Sequence, residues 1–226
     1  MRTILAVLTF GLLSVGQAAI HPSPTASRDS VRSVAKSALS AFLEMVPVGH
    51  ETRHGFPDRS AFARATVGDP IPVYGAPPAI ADSLPDQTDS VWDRPVPTGV
   101  WRVPILLDGK ARTFLTVESV GGTLQAVEIG GASLAQEIGA LESSHPGKRK
   151  GLLRLDGLRS DVLMVDQPDG DFSEGQYVAL RSSRQSLSLD SLDKRSRRDM
   201  FRSIHKSLRS HRSQPSGSHA EPKENR

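Results

Sequence analysis

The order of apolar and polar residues predicts helices near the start of the chain. Residues 31–46 carry apolar side chains at intervals of three and four, with charged residues between them, until Pro47 and Gly49 interrupt the pattern. This spacing predicts an amphipathic helix. A second, short helix is predicted over 59–67, where Asp58 precedes the first turn as a cap.

Extended runs dominate the middle of the chain. Residues 100–107 and 111–118 are rich in β-forming side chains and flank Asp108-Gly109, a dipeptide that supplies positive φ in a tight hairpin. A third run, 123–129, partly alternates apolar and polar residues and completes a three-stranded meander. Further short strands are predicted at 71–74, 152–155, 161–165 and 176–180.

One more helix separates the meander from the last strands. Ser133 and Gln136 form a capping box ahead of apolar residues at helical spacing, which predicts a helix from Ser133 to about Ser143. In chain order, these elements predict an α+β fold, with a mainly antiparallel sheet of about six short strands and two or three helices on one face. We expect a single domain over 29–181, preceded by a short lead-in over 19–28.

The first eighteen residues have the pattern of a secretory signal peptide. Met1 and Arg2 give a basic start, residues 4–15 form a mostly apolar core, and Gly16 and Ala18 are small residues at the third and first positions before the expected cut. The core is about half the roughly 20 residues that cross a bilayer, so we expect cleavage rather than a membrane anchor. The mature chain, expected to begin near Ala19, is predicted to be periplasmic or extracellular, with no transmembrane segment.

Composition and charge divide the mature chain into two parts. The absence of cysteine excludes disulfides, thiolate metal sites and a cysteine nucleophile. Residues 19–180 hold 15 Lys and Arg against 20 Asp and Glu, whereas residues 181–226 hold 12 against 5. The C-terminal segment is also poor in aromatic residues, so we predict a basic, largely disordered tail over 182–226.

Residues 50–54 read His-Glu-Thr-Arg-His, which is the string H-E-x-x-H. On a continuous α-helix, this string places two histidines on one face to bind zinc, and its glutamate activates a water molecule. Proline and glycine flank the string on both sides, which disfavours such a helix. A zinc-dependent hydrolase with His50 and His54 as ligands and Glu51 as the base is therefore an alternative to a polar surface loop.

Four carboxylates fall close together between two predicted strands. Their oxygens are the ligand type that calcium prefers, although the spacing differs from that of the EF-hand loop. A solvated acidic turn is the competing interpretation. The four residues are Asp166, Asp169, Asp171 and Glu174.

The tail contains one amphipathic stretch. Apolar residues at helical spacing alternate with cations over 200–209, which is typical of a basic helix that lies on an anionic surface or binds a polyanion. A nucleic acid partner is not expected, because the predicted export separates the chain from it and no aromatic stacking platform accompanies the charge. The candidate cations are Arg195, Arg197, Arg198, Arg202, Lys206 and Arg209.

The sequence contains no complete catalytic or cofactor-binding motif in its expected structural context. We therefore expect an exported, non-catalytic binding or accessory domain. The zinc hydrolase and the protein that attaches to an anionic surface through its tail are the two alternatives.

Overall fold

A computed structural model describes residues 26–76, 95–142, 147–165, 175–189 and 194–213. The predicted signal peptide and all four carboxylates of the predicted acidic turn lie outside the described residues. No helix in these ranges is both long enough and apolar enough to cross a membrane.

The described ranges contain four α-helices and nine strands. In chain order they are α1 (Arg28–Glu44), β1 (Ala65–Val67), β2 (Ile71–Gly75), β3 (Val96–Leu107), β4 (Lys110–Val120), β5 (Thr123–Gly130), α2 (Ala132–Glu142), β6 (Lys150–Leu155), β7 (Ser160–Val165), β8 (Gln176–Ala179), α3 (Arg181–Leu187), β9 (Lys194–Arg195) and α4 (Arg197–Ser213). Short 3₁₀ helices occupy Glu51–His54, Arg59–Arg64 and Asp156–Leu158.

All nine strands belong to one sheet. Eight of them follow the order β5-β4-β3-β2-β6-β7-β8-β9, and β1 pairs with β3. Among these pairs, β2 and β6 run parallel and the others run antiparallel. The prediction of a mixed fold with a mainly antiparallel sheet is thus confirmed, with more strands than the six expected.

The helices cover both faces of the sheet, which differs from the expected single face. In β2, Val73 pairs with Leu152 and both pack in the cluster that contains α2. The next residues, Tyr74 and Leu153, pair as well but pack with α4 on the opposite face. Trp101 of β3 packs with α1 on the α4 face. Strands with apolar side chains on both faces need other elements packed against both faces of the sheet.

The predicted meander is present, whereas the predicted second helix differs from the structure. Asp108 and Gly109 have φ values of 51° and 74° and form the turn between β3 and β4. Asp58 caps its helix by accepting a hydrogen bond from the Ala61 N–H at 3.2 Å. That helix is a 3₁₀ helix that ends at Arg64, because the β-branched Thr66 and the residues beside it pair with β3 as β1.

The C-terminal elements β9 and α4, which follow the predicted boundary after residue 181, pack against the sheet. In α4, Met200, Phe201 and Ile204 are buried against the sheet. The Phe201 ring meets the Tyr177 ring edge-on, with 6.0 Å between centroids. The apolar stripe of the predicted amphipathic helix therefore faces the protein's own core, and its burial offsets the entropy of ordering this segment.

Tyr177 supports a first testable prediction. Its side chain is fully buried, and its hydroxyl has no hydrogen-bond partner among the described residues. Because an unsatisfied buried hydroxyl is costly, Tyr177→Phe will raise the free energy of unfolding by about 1 kcal/mol in urea denaturation at neutral pH. A loss of stability of similar size would contradict this.

The same side chain predicts a pH dependence. Burial raises the pKa of the Tyr177 hydroxyl above its ordinary value. The folded state thus favours the neutral phenol, and this contribution is intact below the unfolded-state pKa of about 10 and is lost as the pH rises above it. The Tyr177→Phe variant has no such group, so its stability will fall less between neutral and strongly alkaline pH. Urea unfolding of both proteins across this pH range measures the difference.

Candidate anion-binding cleft

A cleft of about 1030 Å³ lies between α2, the β3–β4 hairpin, the β1–β2 connection and the start of β6. Its floor is apolar and includes Ile71, Phe114 and Ile138. Seven cationic residues and two carboxylates line it, although residues 19–180 as a whole are acidic. The cations are Arg28, Arg32, Lys110, Arg112, Lys148, Arg149 and Lys150, and the carboxylates are Asp69 and Glu142.

Arg28 stands where the two parallel strands begin. It is the first residue of α1, and Nη1 donates a hydrogen bond to the Pro70 carbonyl at 2.5 Å. Nη2 donates to the Lys150 carbonyl at 3.3 Å, and the guanidinium carbon lies 5.8 Å from the centroid of the Trp101 ring. Arg28 therefore joins the starts of β2 and β6 through backbone carbonyls, and its charge has no carboxylate hydrogen-bonded to it in the described structure.

The environment of Arg28 is unfavourable for a cation. Burial lowers the pKa of its guanidinium, and the positive charge of Arg149 lowers it further. The first turn of a helix also favours anions over cations. An anion bound between Arg28 and Arg149 would relieve both this repulsion and the loss of solvation.

Arg112 enters the cleft from an irregularity in β4. Ile105 pairs with Thr113 and the next residue, Leu106, pairs with Ala111, so Arg112 is the extra residue of a β-bulge. Bulges redirect a side chain out of the regular alternation of a strand, and they are common beside functional sites. The Arg112 Nε atom is buried and has no hydrogen-bond partner among the described residues. A buried donor of this kind needs an acceptor.

Both carboxylates of the cleft are already paired. Asp69 accepts a hydrogen bond from Arg32 at 2.5 Å, and Glu142 accepts one from Lys150 at 2.5 Å. Within the described ranges, Lys110 and Arg112 form no ion pair. The positive charge at the β4 side of the cleft therefore remains available after the internal pairs are formed.

Residues 50–54 do not form the two-histidine face of a zinc hydrolase. Residues Glu51–His54 make a single 3₁₀ turn, with His50 before it and Gly55 after it in the left-handed region at φ 82°. In a 3₁₀ helix, side chains four residues apart point about 120° apart, whereas an α-helix places them nearly in line. In the described ranges, no group of three or more histidines and carboxylates is arranged to hold a metal ion.

The same turn supports the bulge in β4. The Glu51 side chain is buried, and its carboxylate lies 3.6 Å from an Arg59 nitrogen. At Gly55, an added Cβ would lie 2.5 Å from the Arg112 carbonyl oxygen and 3.1 Å from the Gln136 side chain. The turn thus approaches Arg112 so closely that only glycine fits at this position.

The predicted calcium residues lie outside the described residues, whereas all six tail cations lie within them. Arg198, Arg202, Lys206 and Arg209 are exposed on α4, and Arg195 and Arg197 are half-buried. Arg202 lies 3.5 Å from Asp199. Since the apolar stripe of α4 is buried, the exposed cations of this helix are the groups available for contact with an anionic surface.

No family model, curated protein or solved structure matches this chain. The chemistry of the cleft is therefore the basis for a functional assignment. Sequence reasoning missed this cleft, and the one signal for it is the basic run Lys148-Arg149-Lys150, which follows the helix predicted from Ser133 and precedes the next strand.

Proposed function

We propose that this protein is exported and acts as a non-catalytic binding or accessory protein that holds an anionic ligand in the basic cleft. The observation that carries the proposal is the lining of the cleft, in which the described cations outnumber the carboxylates and Arg112, the extra residue of a bulge, has a buried Nε without a hydrogen-bond partner among the described residues. The pattern of the first eighteen residues supports export, and cleavage before Ala19 is its measurable sign.

The side chains of the cleft favour binding over catalysis. Its described lining contains no serine, threonine, tyrosine or histidine, and the carboxylates of Asp69 and Glu142 are engaged in ion pairs. Guanidinium and ammonium groups donate hydrogen bonds and do not accept them. Such a lining attracts and orients an anion, and Arg112 supplies the geometry of a planar fork.

The proposal predicts that an anion stabilises the folded protein through Arg112. A panel of phosphate, pyrophosphate, tripolyphosphate and citrate will contain at least one anion that raises the thermal unfolding midpoint in a saturable way. At 100 times its dissociation constant, such an anion adds about 2.7 kcal/mol to the stability of the folded state. In Arg112→Gln, the affinity for that anion, measured by titration calorimetry, will fall by about tenfold.

Arg202→Gln is the matched control, because it removes the same charge from the exposed face of α4. This variant will bind the anion as the wild-type protein does. If no anion in the panel stabilises the protein, the proposal is wrong. It is also wrong if Arg202→Gln lowers the affinity as much as Arg112→Gln, since the cations of α4 or the charge of the whole molecule would then explain the binding.

A further inference from the structure

Four cations of the cleft form two separate groups. Lys110 and Arg112 lie on β4, whereas Arg149 lies just before β6 and Arg28 binds the carbonyl at the start of β6. In the sheet, β3 and β2 separate β4 from β6. Three strand spacings amount to about 14 Å. The two groups therefore rise from strands that are not neighbours in the sheet, and a linear anion can contact both at once.

The space between the groups suits a ligand of some length. The cleft volume of about 1030 Å³ lies just above the range of roughly 300–1,000 Å³ that is usual for ligand pockets. Small residues of α2 line this part of the cleft, and a Cβ at Gly139 would lie 3.0 Å from the Cβ of Ala111. The helix thus lies close to β4 at this point, and its small residues form part of the cleft wall.

The lining also indicates which kind of extended anion fits. A peptide carries an N–H donor at nearly every residue, and each donor needs an acceptor. Among the described lining side chains, the two carboxylates are ion-paired, and Gln136 is the one neutral group with an acceptor oxygen. A chain of phosphate groups presents acceptors alone, which matches a lining of arginine and lysine.

We infer that the cleft binds a linear oligophosphate that contacts Arg112 at one end and Arg149 with Arg28 at the other. This inference rests on the proposed function, and it names the ligand class. When one phosphate chain contacts the first group of cations, its contact with the second group forms within the same complex. A chain long enough to span both groups therefore binds more tightly than a short one.

A length series tests this inference. The affinities of orthophosphate, pyrophosphate, tripolyphosphate and a longer linear oligophosphate will be measured by titration calorimetry at one ionic strength. We expect the longest chain to bind about 100-fold more tightly than pyrophosphate. Two double variants, Lys110→Gln with Arg112→Gln and Lys148→Gln with Arg149→Gln, will each reduce the affinity for the long chain to near that of pyrophosphate. Arg202→Gln will leave the series unchanged.

Each opposing result has a distinct meaning. Equal affinities for pyrophosphate and the long chain, both dependent on Arg112, would overturn the inference and leave the proposed function intact. So would tighter binding of an oligoglutamate of matched charge, or binding of citrate alone. Absence of any Arg112-dependent anion binding would overturn both. Urea unfolding midpoints will establish that each double variant is folded before it is titrated.

Discussion

Phe201→Ala will lower the free energy of unfolding by about 3–5 kcal/mol, the cost of deleting a buried phenylalanine side chain from a packed core. Phe201 of α4 is 1 % exposed and lies edge-on to Tyr177 of β8. Equilibrium unfolding in urea measures the loss. The result matters for the boundary of the domain, because a substitution in a helix lowers the free energy of unfolding by this much only if the helix is packed into the core.

Arg202→Ala is the control for this variant, since it changes the next residue of the same helix on its exposed side. Surface substitutions of this kind change stability by about 0.5 kcal/mol or less. If the two variants are equally stable, α4 does not contribute to the core, and the segment after residue 181 behaves as the disordered tail that its composition predicts.

Gly55→Ala is expected to be the second costly substitution, at about 3 kcal/mol. A non-glycine residue at φ 82° costs about 1–2 kcal/mol by itself. The added Cβ would also lie 2.5 Å from the Arg112 carbonyl oxygen, so the backbone of the bulge has to move. Urea unfolding measures the loss of stability. Because Arg112 shifts with this backbone, the variant will also bind the cleft anion more weakly.

Gly49→Ala separates the two contributions. Gly49 has φ 84°, close to that of Gly55, but nothing lies within 4 Å of its added Cβ. This variant will therefore lose only the conformational part, about 1–2 kcal/mol, and its anion affinity will not change. Equal losses in the two variants would show that the approach to Arg112 contributes nothing.

Local patterns predicted the parts of the fold that local interactions determine. The β3–β4 hairpin follows from Asp108-Gly109, whose positive φ values the structure contains. The first helix begins at Arg28 behind a cap at Ser27, a few residues before the start of its apolar pattern. The placement of helices on both faces was not predicted, because it depends on how β2 pairs with β6 across a large interval of sequence.

The cleft depends on features that single segments do not reveal. Arg112 belongs to it because the pairing of β3 with β4 shifts by one residue, and the register is a property of two strands together. Arg28 and Arg149 are far apart in the sequence and meet only through the parallel pair. In α4, the density of serine and cations favours disorder by composition, whereas burial of the apolar stripe against β8 decides its structure.

The parallel pairing of β2 with β6 has a consequence for the order of folding. It joins a unit that contains α1 and β1–β5 to a unit that contains β6–β8, and it closes a long loop of chain. We expect this contact to form late, since the entropy of loop closure opposes it. Lys110 and Arg112 lie on the first unit and Lys148 and Arg149 lie beside the second, so we expect the cleft to be completed only at that step. A bound anion will accordingly slow the separation of the units during unfolding and leave the rate of folding almost unchanged.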